Sequence, residues 1–130
     1  LGEDIRRRGG KIPGNENELR DSGFIGLYVT NAFELFILRN RKPLLDVNMS
    51  RLLKRYFKPG DFIDVRHDKE IQELANDIIE VRRCKELNWA ILDYAALVCK
   101  TRNPLCGECV LNKHCKYYEL SQGDVTEEPE

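Results

Sequence analysis

Apolar residues recur along this chain at the intervals of helices rather than strands. Most positions between 27 and 38 are apolar, which predicts a helix buried on most sides. Segments 47–57 and 71–79 place apolar residues at helical spacing, and 87–98 is a further apolar stretch. No segment shows the alternation of a half-buried strand, so we predict an all-α fold.

Turn and capping residues separate these segments. A glycine pair at positions 9 and 10 ends a first helical stretch, and Asn15 with Glu18 resembles a capping box for a short helix. Residues 21–26 predict a tight hairpin between two helices. Asp46 stands where the N-cap of the helix over 47–57 is expected.

The overall charge of the 130-residue chain does not indicate a nucleic-acid partner, because the formal net charge is −1 and the pI is about 6.2. The charges are unevenly distributed, however. Acids dominate the last seven residues, and basic residues lie among the cysteines: Lys100, Arg102, Lys113 and Lys116. A local basic patch is therefore hidden in the total.

No apolar run has the length of a membrane span, and no signal-peptide pattern opens the chain. We therefore expect no membrane partner. Because the first residue is Leu1 rather than Met, we expect a further portion upstream. With no export signal, clustered cysteines favour metal ligation over disulfides, which predicts a cytoplasmic location.

Four cysteines follow the pattern C-x6-C-x2-C-x5-C: Cys99, Cys106, Cys109 and Cys115. Soft thiolate ligands select zinc or an iron–sulfur cluster. Zinc knots often show two close C-x2-C pairs, whereas this chain has one close pair and wider arms, which favours a larger cubane. Four unligated cysteines are the remaining alternative. Cys84 lies outside the set and is interpreted as a core or surface thiol.

The residues around the first ligand carry a family resemblance. The run Asn88-Trp89-Ala90-Ile91-Leu92-Asp93-Tyr94-Ala95-Ala96-Leu97-Val98-Cys99, followed by Arg102-Asn103-Pro104-Leu105-Cys106, resembles the helix-hairpin-helix DNA glycosylases of the endonuclease III superfamily. The resemblance implies their all-α fold and a [4Fe–4S] cluster on the four cysteines. It divides the chain into a helical region over 1–98, a cluster loop over 99–118 and an acidic tail over 119–130. Lys100 and Arg102 correspond to basic residues that contact DNA phosphates.

The same family places a hairpin ahead of its catalytic residue, usually reading Leu-Pro-Gly-Val-Gly. Here Ser22-Gly23-Phe24-Ile25-Gly26 occupies that place. Phe24 stands where the first glycine is expected, so a bulky side chain enters the predicted amide cradle. The resemblance assigns DNA contact to Phe24, Gly26 and Leu27.

Two further positions carry the implied chemistry. Bifunctional members have a lysine where this chain has Tyr28, and a phenol cannot form a Schiff base, so a monofunctional enzyme is implied. The segment Leu44-Leu45-Asp46-Val47-Asn48-Met49-Ser50-Arg51 is similar to that around the family's catalytic aspartate. Asp46 is thereby the expected carboxylate for base release, although an isolated aspartate before a helix is usually an N-cap.

These residues predict a base-excision DNA glycosylase that acts on thymine or uracil opposite guanine. There are two alternatives. One is an adenine glycosylase acting opposite guanine or 8-oxoguanine, and the other is a non-catalytic DNA-binding module that retains the cluster. The expected partner is duplex DNA with a mismatched or damaged base. The resemblance covers only the second half of the family domain, so we also expect the missing half, or a partner chain, to cover exposed apolar surface.

Overall fold

The computed structural model describes residues 26–61 and 63–126, together with Arg6 and Gly9. Within these residues the α-helices are α1 (Leu27–Phe36), α2 (Val47–Phe57), α3 (Lys69–Ile78), α4 (Cys84–Leu97) and α5 (Lys116–Thr126). Short 3₁₀ turns cover Val65–His67, Cys106–Glu108 and Asn112–His114. The described part contains no strand, and the predicted all-α class is confirmed. The predicted capping box and most of the hairpin lie outside the described residues.

Helix α2 is the centre of the fold because it contacts α3, α4 and α5. Its apolar side chains join those of the loop before it and of the neighbouring helices in one core: Leu35, Leu44, Leu45, Met49, Leu52, Leu53, Ile71, Ala75, Ile79, Cys84 and Ala95. Cys84 is thus a core thiol, and burial raises its pKa. None of the helices in the described residues is long and apolar enough to cross a bilayer.

Helix α1 is buried on fewer sides than its apolar sequence predicts. Its buried residues include Thr30, Asn31 and Glu34, whereas Val29 is 49% exposed. The predicted burial on most sides is therefore wrong. Glu34 is accommodated inside because its carboxylate accepts a hydrogen bond from the side chain of Asn40.

The C-terminal end of α1 also falls earlier than expected, at Phe36 rather than residue 38. Arg39 adopts a φ of 58°, and the backbone N–H of Asn40 then donates to Glu34 O at 2.8 Å. This left-handed residue closes the helix in the manner usually seen with glycine.

Asn88 attaches the loop before α2 to α4. The side chain is fully buried, and its Oδ1 accepts from the N–H of Leu44 at 2.6 Å. Its Nδ2 donates to Lys42 O at 3.1 Å and to Cys84 O at 3.0 Å. Because Leu44 lies two residues before Asp46, this amide holds the backbone close to the candidate catalytic residue.

Asp68 begins α3 and connects it to α2. Its carboxylate accepts from the N–H of Ile71 at 3.1 Å and forms a salt bridge with Lys54 at 3.0 Å. Burial acts to raise the pKa of Asp68, but the hydrogen bonds from Ile71 and Lys54 outweigh it and leave the pKa lowered. The pair joins α2 to the N-terminal end of α3.

Candidate functional site

The structure brings the four clustered cysteines to one cavity. Cys99 follows the end of α4, Cys106 begins a 3₁₀ turn that Cys109 terminates, and Cys115 directly precedes α5. The other lining residues are mostly apolar or aromatic: Arg55, Val98, Pro104, Leu105, Asn112, Tyr117 and Tyr118. Two short 3₁₀ turns, Cys106–Glu108 and Asn112–His114, lie in the segment between α4 and α5 that carries these cysteines. The assignment of these thiols as metal ligands stays a prediction.

The donor set of this cavity is thiolate only, since no His, Asp or Glu is among its described lining residues. In the described ranges no group of three or more His, Cys, Asp or Glu side chains is arranged to hold a metal ion. Four thiols that line one cavity are by ligand type suited to zinc or to an iron–sulfur centre.

The electrostatics of the cavity favour a bound cation. Burial raises the pKa of the Cys106 thiol, and negative charge on the other three cysteines raises it further, whereas Arg55 opposes them. Four ionised thiolates therefore repel one another in this apolar setting. Binding a cationic metal centre would remove that repulsion.

Two groups outside the cysteines donate to the sulfur of Cys109. The hydroxyl of Tyr94 on α4 lies 3.4 Å from Cys109 Sγ, and the N–H of Leu111 is also at 3.4 Å. Tyr94 is held in turn by the N–H of Val110, at 2.9 Å from its oxygen. Burial and the contact with Cys109 raise the pKa of Tyr94, so the phenol remains a donor at neutral pH. This role could not be predicted from the sequence, because Tyr94 lies within an apolar run.

Asp46 is the N-cap of α2, as expected. Its Oδ1 accepts from the N–H of Met49 at 2.8 Å, and its Oδ2 accepts from Asn48 Nδ2 at 3.1 Å. The side chain is half-buried. Both oxygens therefore have partners that fix the carboxylate at the N-terminal end of the helix, where negative charge is favoured. Capping and catalysis are compatible roles for a carboxylate held in this way.

Arg51 links this end of α2 to the first cysteine. Its Nη1 donates to Asn48 Oδ1 at 3.0 Å, and its Nε donates to Cys99 O at 2.9 Å. Nη2 donates to Ala95 O at 2.7 Å, so the guanidinium also caps the end of α4. A chain of hydrogen bonds thus runs from Asp46 to the Cys99 backbone. The sequence offered no distinction between this role and that of a solvated surface charge.

The predicted hairpin residues are only partly described. Phe24 lies outside the described residues. Gly26 is the exposed N-cap of α1, with a φ of −71° and no atom within 4 Å of a Cβ built upon it. Leu27 is half-buried, and Tyr28 is 41% exposed on the first turn of α1. No hydrogen bond joins Tyr28 to Asp46 among the described side chains.

The two basic residues assigned to DNA contact lie in the loop between Cys99 and Cys106. Lys100 is half-buried and Arg102 is exposed. Asn103 adopts a φ of 51°, which turns the chain back toward the cavity directly after Arg102. The turn leaves Arg102 at the surface beside the cysteines.

Comparison with known proteins identifies the relatives of this chain. No protein-family model matches it. It is 30% identical over 116 residues to a thymine/uracil-DNA glycosylase of Methanothermobacter thermautotrophicus, covering 88% of the chain and 52% of that protein. A thymine-DNA glycosylase of Aeropyrum pernix is 35% identical over 115 residues. The solved structure of a thermostable thymine-DNA glycosylase superposes with a TM-score of 0.78 at 30% identity, over 89% of this chain and 54% of that one.

The homologues of this chain are endonuclease III-superfamily DNA glycosylases. An endonuclease III of Thermotoga maritima is 25% identical over 124 residues. A solved endonuclease III–DNA complex has a TM-score of 0.67 at 17% identity, which supports the fold alone. The predicted family resemblance and helix-hairpin-helix glycosylase fold are confirmed. The chain spans about half the length of the thymine/uracil-DNA glycosylases that it matches.

Proposed function

We propose that this chain forms part of a base-excision DNA glycosylase. Its similarity to thymine-DNA glycosylases in both sequence and structure is the observation that carries the proposal. The carboxylate of Asp46 is fixed by two hydrogen bonds, which suits a group that must act on one reacting centre.

The proposed reaction is hydrolysis of the N-glycosidic bond between a base and its deoxyribose. Departure of the base leaves positive, oxocarbenium-like charge on the sugar. A fixed carboxylate at Asp46 stabilises that charge, or accepts a proton from the attacking water. Tyr28 has no amine, so no Schiff base forms there and the strand is left uncut.

We propose that Cys99, Cys106, Cys109 and Cys115 hold a [4Fe–4S] cluster. When bound, the cluster cross-links the loops between α4 and α5, since each thiolate becomes a fixed attachment point. The purified protein should be yellow-brown, with broad absorption near ~400 nm and about four irons per chain. Stoichiometric zinc without visible absorption would contradict this assignment.

The proposed partner is duplex DNA with a mismatched or damaged base. The proposed location is the cytoplasm, with association to the nucleoid if the cell is prokaryotic. The open surroundings of Gly26 allow a phosphate to approach the N-terminal end of α1. Lys100 and Arg102 would neutralise further phosphates beside the cysteines. We propose that apolar side chains at the surface, such as the stacked pair Phe36 and Trp89, contact the part of the domain that the relatives have in addition.

Thymine or uracil opposite guanine is the favoured substrate. The relatives named for thymine or uracil are 30–35% identical to this chain, whereas those named adenine DNA glycosylase are 24–28% identical. Adenine opposite guanine or 8-oxoguanine is the second candidate.

A panel of end-labelled duplexes tests the proposal with the protein at its full natural length. We expect release from G·T and G·U pairs, strand cleavage only after hot alkali, and no covalent adduct after borohydride. Release from A·G pairs alone would select the second candidate, and borohydride trapping would contradict the monofunctional assignment. No release from any duplex, by protein with its full iron content, would favour a non-catalytic DNA-binding module.

A further inference from the structure

Arg55 extends from α2 across the loop that follows α4. Its Nη1 donates to Lys100 O at 2.7 Å, and its Nη2 donates to Thr101 O at 3.2 Å. Nη1 also lies 3.5 Å from both the oxygen and the Sγ of Cys99. One guanidinium therefore contacts three successive residues of the loop that leads away from the first cysteine.

The guanidinium of Arg55 also contacts an aromatic ring on α5. Its central carbon lies 4.9 Å from the ring centroid of Tyr117 on α5, in a cation–π contact. The backbone oxygen of Arg55 lies 3.5 Å from Cys115 Sγ. The residue thus touches both the first and the last cysteine of the motif.

Arg55 is also the one cationic side chain among the described residues that line the cysteine cavity. Arg51 contacts the backbone of Cys99 but not its sulfur. An iron–sulfur centre with four thiolate ligands has a net negative charge, and one-electron reduction adds one further negative charge. A cation at the edge of such a centre favours the reduced form, because hydrogen bonds and charge near the sulfurs determine the reduction potential.

We propose that Arg55 is a positioning residue for the cluster: it orients the Cys99 thiolate and the loop behind it, and its charge stabilises the reduced cluster. The inference rests on the proposed [4Fe–4S] assignment. Arginine suits the role because its planar fork serves several acceptors at once, whereas a lysine ammonium is a point charge on a flexible stem.

The test compares Arg55→Gln and Arg55→Lys with the wild-type protein, using direct electrochemistry in which the electrode supplies the electron. We expect Arg55→Gln to disfavour the reduced cluster by about tenfold at a given potential, a shift of about 59 mV to lower potential for a one-electron couple. Arg55→Lys should recover part of that shift. Iron release to a chelator should be faster in Arg55→Gln, with Arg55→Lys intermediate.

Lys58→Gln is the matched control, because it removes one positive charge from an exposed side chain at the end of the same helix. Arg55→Gln could bind no iron and still keep its helices by circular dichroism. That result would support the orienting role, and the reduction potential of Arg55→Lys would then be compared with that of the wild type. Potentials and iron-release rates that match those of the wild type and Lys58→Gln, at full iron content, would overturn the proposal. Absence of iron from the wild-type protein would instead remove the cluster assignment on which it rests.

Discussion

Gly26 is a position where the backbone does not require glycine. Its φ is −71°, and the space around a Cβ is open. Serine is also a better N-cap than most residues. The conformation of Gly26 therefore does not by itself require glycine, and we propose that a DNA phosphate approaches the backbone here.

We predict that Gly26→Ser changes the free energy of unfolding by less than about 0.5 kcal/mol. DNA affinity should fall by about tenfold, because the added side chain obstructs a phosphate near the helix N-terminus. Fluorescence anisotropy with a labelled duplex measures the affinity. Gly60→Ser, at another open glycine, is the control, and equal affinities for the two variants would contradict a phosphate contact at Gly26.

Asn88 should be among the most sensitive side chains in the described structure. Asn88→Ala leaves the buried N–H of Leu44 and the carbonyls of Lys42 and Cys84 without that amide, so we expect a loss of about 3 kcal/mol in the free energy of unfolding. Chemical denaturation measures it. Asn76→Ala removes an exposed amide on α3 as the control. A change below about 1 kcal/mol at Asn88 would show that the loop before α2 is held by other contacts.

Sequence predicted some side-chain roles and not others. The capping role of Asp46 was predictable because an aspartate before an amphipathic run is a local signal. The roles of Arg51 and Arg55 were not, because a basic residue on a helix surface looks the same whether it meets solvent or the carbonyls of a distant loop. Their partners lie 44 to 48 residues away along the chain.

Helices were predicted well where their two faces differ in polarity. Helix α2 covers the predicted segment 47–57 and buries its apolar face. Helix α1 was misjudged because it is apolar on nearly all sides, so periodicity does not show which side meets the core. Burial of Glu34 depends on Asn40, a contact made only when the chain turns at Arg39.

The junction of α2 and α3 should weaken in acid. The pKa of Asp68 is below its ordinary value of 3.8, so its contribution to stability is complete above that value and is lost as the pH falls through the lowered pKa. Asp68→Asn keeps an N-cap but loses the charge that pairs with Lys54.

We expect Asp68→Asn to cost about 2 kcal/mol at pH 7, and the difference from wild type to shrink below about pH 3.8. Urea denaturation across pH 3–7 measures this. A difference that stays constant down to the lowest pH would show that the charge of Asp68 does not stabilise the junction.

Cysteine replacement tests the loops between α4 and α5. Cys106→Ser should abolish iron binding and sharply lower the hydrogen-exchange protection of residues 99–118, because without the cluster the two 3₁₀ turns there are held only by a few hydrogen bonds, such as those from Asn112 and to Tyr94. Protection in α2 and α4 should persist. Cys84→Ser, at the core cysteine outside the cavity, should retain full iron content. Loss of iron in both variants, or in neither, would contradict the assigned ligands.

At the scale of the whole molecule, the fold could be predicted from the sequence, whereas the site could be predicted only in part. The helical spacing is a local pattern and predicted an all-α fold, and the cysteine motif with the residues around it carried the resemblance to the glycosylase family that the comparisons support. The connection from Asp46 through Asn48 and Arg51 to Cys99 depends on how α2 lies across the end of α4. No local pattern encodes that placement.

Base release by an Asp46→Asn variant tests the central claim most directly. Asparagine caps a helix as well as aspartate, so α2 should keep its structure while the reacting centre loses its charge. At full natural length, single-turnover release from G·T and G·U duplexes should fall by about a hundredfold or more, with DNA affinity nearly unchanged. Asp64→Asn, at an exposed aspartate that caps a 3₁₀ turn, should release bases at the wild-type rate. Normal release by Asp46→Asn would contradict the catalytic assignment and leave Asp46 as an N-cap alone.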